Sequence, residues 1–298
     1  MKFGMFYVLE CPDGDFSRAY KEMLGQIEYA EELGYDSVWL AEHHGSAYGS
    51  MPSPQLAMSS IAMITERMRI GLAVTILPFD NPVRVAEDFA MVDVISNGRL
   101  DLGVGRGYQP REFKMLGLGD KQQYSREIFE ESLDILVGLW TNDSFSYNGK
   151  HYQLEDVSIT PKPLQKPRPP LYVAAISPST FELVRKYDMN VLVTPTLMSL
   201  DELKTFVLQA KKDLVELGHD AAELNFPMNW QMHLAETEEE ALSRPSEALD
   251  WYFNLVVPRI VPPLPKMEAR WTKFRPRGCG AVRASVGCSS RRTSDIRH

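Results

Sequence analysis

Cysteine is scarce: Cys11, Cys279 and Cys288 are the only three in 298 residues. An odd, widely spaced set of this kind gives no disulfide framework and no cysteine metal cluster. No apolar run approaches the roughly 20 residues a membrane helix requires. The apolar start, Met1 to Leu9, lacks a basic leader and a small-residue cleavage site, and it reads on as strand, so a cytoplasmic protein is expected. Neither the Lys-Ser/Thr of a nucleotide P-loop nor the spacing of a dinucleotide fingerprint occurs. Clustered basic residues are missing from the body of the chain as well. The net charge is −8, yet Val257 to His298 holds ten Lys/Arg against two Asp/Glu, so everything before it is more acidic still. An acidic body argues against a nucleic-acid surface.

What is present is an alternation of strand and helix. Lys2–Val8 reads as a strand. Ser17–Leu33 has helical spacing and stops at Gly34, a residue suited to a left-handed cap. Ser37–Ala41 is a short apolar strand, Ser53-Pro54 opens a second helix, and Arg69–Leu77 is a third strand. Asn81-Pro82 caps a helix running to about Ile95, Arg99–Val104 is a fourth strand, and Ser125–Trp140 a helix. Leu171–Ile176 and Val191–Val193 resume as strands, and Leu224–Leu234 offers a seventh. This alternation predicts a parallel sheet, either a barrel or an open doubly wound one. Thr141–Pro170 is polar and proline-rich after Ile159, and is expected to form a lid or binding insert. Past Leu255 the pattern stops, and the eighth strand and helix of a closed barrel are not visible. The domains are therefore expected at 1–255 for the barrel and at 256–298 for an atypical basic tail, disordered or read in a shifted frame.

Three segments carry chemistry. Glu42-His43-His44 follows the second strand, on the face where parallel barrels build active sites. Adjacent histidines point apart on an extended chain, so they suit proton exchange better than a shared metal; an ordinary pair of loop histidines is the plain alternative. Gly103-Val104-Gly105-Arg106-Gly107 runs from the fourth strand into a glycine-rich turn where Arg106 can fork onto a phosphate, or be a simple surface arginine. Ser177-Pro178-Ser179-Thr180 opens a helix whose free N–H groups suit an anion, or only cap the helix. Met51, Phe79, Tyr108 and Trp230 could line an apolar substrate pocket or belong to the core.

In order and spacing from Met1 to about Phe253, the chain resembles the bacterial-luciferase-like family of flavin-dependent oxidoreductases. The likeness rests on Lys2-Phe3-Gly4, on Leu33 through His44, on Asn81-Pro82-Val83-Arg84-Val85-Ala86-Glu87-Asp88, on Ser96-Asn97-Gly98-Arg99-Leu100 running on to Gly107, and on Tyr172-Val173-Ala174-Ala175. The resemblance implies a (β/α)8 TIM barrel, with the last unit missing or replaced here. It implies reduced FMN, or a deazaflavin in one branch, at the C-terminal mouth. His43 matches the family's catalytic histidine, and Arg106, Ser177 and Thr180 match its phosphate-binding positions. A non-proline cis peptide beneath the flavin ring would fall at Ala73-Val74.

Gly105 and Ile176 stand where luciferase itself has a cysteine and a carboxylate, so a monooxygenase other than luciferase proper is expected. It would take electrons through a separate flavin reductase, use O2, act on a small organic substrate and pair as a homodimer. A deazaflavin-dependent oxidoreductase and a non-catalytic flavin-binding subunit are the alternatives.

Overall fold

A computed structural model describes residues 1–46, 48–174, 178–194, 199–216, 218, 220 and 226–256. The chain divides into two compact units, Met1–Gln231 and Met232–His298.

The first unit holds a six-stranded parallel sheet. Its strands are β1 (Gly4–Tyr7), β2 (Ser37–Leu40), β3 (Arg69–Ile76), β4 (Leu100–Gly105), β7 (Leu171–Ala174) and β8 (Met189–Leu192), side by side in that order. Every ladder is parallel, and no strand is placed out of chain order. A doubly wound sheet would reverse direction at a switch point; this one winds one way only, as a barrel does. The residues around Met228 extend it, since Val193 exchanges backbone hydrogen bonds with Pro227 and Asn229 in parallel register. That is where the seventh strand was expected.

The curvature can be measured from side chains. Trp39 on β2 meets Tyr172 on β7 edge-on, with ring centroids 4.9 Å apart, across two intervening strands. Three spacings of about 4.8 Å would hold those strands about 14 Å apart in a flat sheet. The sheet is therefore curled, with Trp39 and Tyr172 on its concave face. Gly71 on β3 makes room for this contact, because a Cβ there would overlap the Trp39 ring.

On the convex face Val38, Leu40, Ile70, Leu72, Leu100, Leu102, Val104, Leu171 and Val173 are buried and join one hydrophobic cluster with helix residues. Each such side chain contributes about 1.5–3 kcal/mol through burial. The helices supplying the other half are α1 (Phe16–Glu32), α2 (Pro54–Ile64), α3 (Pro82–Ile95) and α5 (Ser125–Thr141). Gly34 does close α1 in the left-handed region, at φ 91°. Asn81 caps α3 through Val83 N–H, whereas Ser53 makes no side-chain cap for α2.

Two of the family-like motifs turn out to be scaffold. The Arg99 guanidinium donates to the carbonyls of Ala62, Thr65, Met68 and Ser96, tying the ends of α2 and α3 to the start of β4. Arg84 pairs with Glu87 and Asp88 on the exposed side of α3, a surface arrangement worth at most about 1 kcal/mol.

The Thr141–Pro170 segment differs from the expected lid. It contains an antiparallel hairpin, β5 (Phe145–Asn148) and β6 (Gln153–Val157). Phe145 packs on Gly138 of α5, and Glu131 accepts the backbone N–H groups of Lys150, His151 and Tyr152. The hairpin is thus strapped along the outside of α5. The proline-rich return then passes beneath the barrel, where Gln165 bonds Asp93 and the Leu100 carbonyl.

In the second unit a short helix, Glu238–Ser243, is capped by Thr237, and another, Ser246–Asp250, leads into a π-helical turn, Trp251–Val256. The expected tail lies, from residue 257 on, outside the described residues. Among the described residues no helix is long and apolar enough to cross a membrane.

Candidate active site

The C-terminal ends of β2, β3 and β4 meet at one mouth of the curled sheet. Glu42, just past β2, is buried and reaches β3: its Oε2 accepts the Thr75 hydroxyl at 2.8 Å and the Ile76 N–H at 3.1 Å. Its other oxygen lies 3.0 Å from His44 Nε2. Burial works against the charged form of His44. The hydrogen bond with Glu42 and the charges of Glu42, Glu112 and Asp80 outweigh it, so His44 is held above the ordinary imidazole value.

His43 points the other way, as expected for neighbours on an extended chain. Its backbone N–H donates to the Met51 carbonyl, and its ring leans on Tyr48 at 5.0 Å between centroids. Gly49 allows this close approach, because a Cβ there would overlap the His43 side chain. Nδ1 of His43 lies 3.2 Å from Glu112 Oε1, and the same oxygen accepts the His44 backbone N–H at 3.1 Å. Among the described residues Nε2 of His43 has no hydrogen-bond partner.

Glu112 belongs to α4 (Pro110–Met115), the short helix entered from the glycine-rich turn after β4. Arg111 donates to the Gly45 carbonyl, Phe113 packs on Phe79 at 4.8 Å, and Phe79 packs on His44 at 5.5 Å. The segment after β4 is thereby folded back onto the end of β2.

The Ala73-Val74 peptide is cis, at the position the family likeness indicated. The β3–β4 register shifts there, between Leu72 and Thr75. Val74 then lies against Gly103 and Gly105, where added Cβ atoms would press on its methyl groups. The concave face at this level is therefore built from small residues and one branched side chain.

Arg106 follows directly. It is exposed and has no carboxylate partner among the described residues. An unpaired guanidinium beside a glycine-lined surface fits an anionic ligand with a flat body, which is what a flavin phosphate is. Thr180 stands in the first turn of α6 (Pro178–Tyr187), behind β7, the strand next to β4. Ser177 lies outside the described residues. Of the apolar candidates, Met51 is wholly buried and Phe79 packs between His44 and Phe113, while Tyr108 and Trp230 are exposed.

Sequence reasoning missed Glu112, Gln109 and Thr75. Glu112 is 69 residues from His43 along the chain; only its place soon after the fourth-strand turn hinted at a role.

Comparisons with known proteins bear on the family and the fold. A family model described as luciferase-like monooxygenase matches residues 1–276. The oxygenase component of a flavin-dependent trigonelline monooxygenase from Acinetobacter baylyi is 31% identical over 206 residues, covering 68% of this chain and 57% of that protein. The crystal structure of monooxygenase RslO1 from Streptomyces bottropensis superposes with a TM-score of 0.81 at 25% identity, covering 92% of this chain and 82% of that one. The FMN complex of the oxygenating constituent of 3,6-diketocamphane monooxygenase from Pseudomonas putida, a type II Baeyer-Villiger enzyme, has the same fold. Its TM-score is 0.75 at 20% identity, over 87% of this chain and 75% of that one. The chain spans a little over half the length of the curated relatives it matches.

Proposed function

The chain belongs to the luciferase-like monooxygenase family, and on that premise we propose that it is a flavin-dependent monooxygenase. It takes reduced FMN from a separate reductase and inserts one atom of O2 into a small organic substrate. The observation that carries this reading is the convergence at one mouth of a histidine with a bare ring nitrogen, an unpaired arginine and a glycine-lined surface.

Bound reduced flavin supplies the electrons that activate O2, one oxygen atom going to the substrate and the other to water. The chain's own residues do the rest. Arg106 would hold the phosphate, and Ser177 and Thr180, the positions the family likeness indicates, would contribute their hydroxyls. Ala73, Val74, Gly103 and Gly105 make the platform for the ring. His43 accepts or returns a proton at Nε2 next to the reacting centre. The packed rings of Phe79 and Phe113, with buried Met51, keep bulk water from the floor of the site.

A homodimer is part of the same reading. The outer faces of α2 and α3 expose Leu56, Met63, Met91 and Val94, apolar surface that a second copy would cover. A cytoplasmic location suits a protein fed by a diffusible reduced cofactor.

The test is His43→Ala supplied with reduced FMN, O2 and a panel of N-heteroaromatic acids and cyclic ketones. FMN binding is retained and most turnover is lost. Unchanged oxygenation would remove His43 from the chemistry, and anaerobic turnover with a reduced deazaflavin would replace the monooxygenase reading with a dehydrogenase.

A further inference from the structure

We infer that Glu112 is the positioning residue for His43. It holds the imidazole as its Nδ1–H tautomer, so that the lone pair at Nε2 faces the mouth. This rests on the proposed function for its consequence, but not for its geometry.

Glu112 is only 5% exposed. A buried carboxylate is tolerated when donors satisfy it; the His44 backbone N–H donates to Oε1 at 3.1 Å, and His43 Nδ1 lies 3.2 Å from the same oxygen. An ionised carboxylate only accepts hydrogen bonds. The ring nitrogen facing it must therefore carry the hydrogen, which leaves Nε2 as the basic atom of the neutral ring. The Gln109 side-chain amide lies 3.4 Å from the same Nδ1. That contact is made by Gln109 Nε2 and is longer than the 3.2 Å to Glu112 Oε1; with Nδ1 protonated it is not a hydrogen bond, and the same NH2 donates to the Tyr108 hydroxyl at 3.5 Å.

The carboxylate's place is over-determined. Arg111 fastens α4 to Gly45 on one side, and Phe113 reaches His44 through Phe79 on the other. The backbone bond to His44 fixes Oε1 independently of the imidazole. Glu112 thus acts on the neighbouring histidine from a frame that does not move with it. Glu42 does the reverse for His44, occupying Nε2. The two carboxylates give adjacent histidines opposite exposed nitrogens, and only His43 presents Nε2.

Long-range proton–nitrogen NMR on histidine-labelled protein, with His43 assigned from a His43→Ala difference spectrum, reads the tautomer directly and requires no substrate. In the wild type the neutral His43 ring is Nδ1–H by about tenfold or more, as a charge-assisted hydrogen bond would set it. Glu112→Ala loses the preference, while Glu112→Gln, which keeps an acceptor oxygen, retains part of it. A merely structural glutamate would leave the tautomer of a folded Glu112→Ala protein unchanged. That result, or a wild-type ring found as Nε2–H, overturns the inference; if Glu112→Ala fails to fold, the wild-type tautomer decides. Loss of turnover in His43→Ala bears on the function alone, so the two failures are distinguishable.

Discussion

Thr75 donates its hydroxyl to Glu42 across a 2.8 Å hydrogen bond that joins the ends of two adjacent strands. The bond spans from the segment carrying both histidines to the β3 bulge that carries the cis peptide. Buried polar contacts thus tie these strand ends together at the mouth of the barrel.

Glu42→Ala should accordingly cost stability as well as activity. It strands the Thr75 hydroxyl and the Ile76 N–H in a buried place and removes the partner of His44. The expected loss is about 2–4 kcal/mol in urea unfolding. A loss below about 0.5 kcal/mol, the level of an ordinary surface change, would mean that these contacts are dispensable.

His44 gives the fold a pH dependence whose sign is fixed by its raised pKa. The folded chain binds the proton more tightly than the unfolded chain. The stabilisation is therefore complete below the unfolded value of about 6.5 and is lost as pH rises through the higher folded value. Wild type should exceed His44→Asn in stability by more at about pH 6 than at about pH 8.5. A difference that does not vary with pH would show that folding leaves the affinity of His44 for its proton unchanged.

Arg106→Ala removes the exposed cation after β4. A charge-assisted hydrogen bond is worth about 1.5–3 kcal/mol, so FMN affinity should fall by about 10- to 150-fold. Riboflavin, which has no phosphate, should bind both proteins equally. Equal FMN affinity in the two proteins would move the phosphate elsewhere.

Gly71→Ala tests the curl of the sheet. The new Cβ would overlap the Trp39 ring that reaches Tyr172. Overpacking of this kind costs about 1–3 kcal/mol, and thermal unfolding should register it. An unchanged midpoint would mean that Trp39 can vacate the concave face freely.

Much of this framework was legible in the sequence, because strand and helix periodicity is local. Val38, Leu40, Ile70 and Leu72 announce buried strands, and Gly34 announces the end of α1. The His43-His44 pair and Arg106 stood out through their position after strands. The carboxylate that meets both histidines did not, since Glu112 comes close only once the turn after β4 folds back on β2. The Thr141–Pro170 segment misled for the same reason: its polar composition suggested a mobile cover. The contacts that strap it to α5, through Glu131 and Gly138, are long-range.

The central claim, reduced-flavin oxygenation at this mouth, is tested most directly by isotope. The protein is supplied with reduced FMN by a separate reductase under ¹⁸O₂, and the products of the substrate panel are weighed by mass spectrometry. The account predicts one ¹⁸O atom in the oxygenated product, with product formation lost in His43→Ala. Product free of label, or a dehydrogenated product formed without O2, would contradict it.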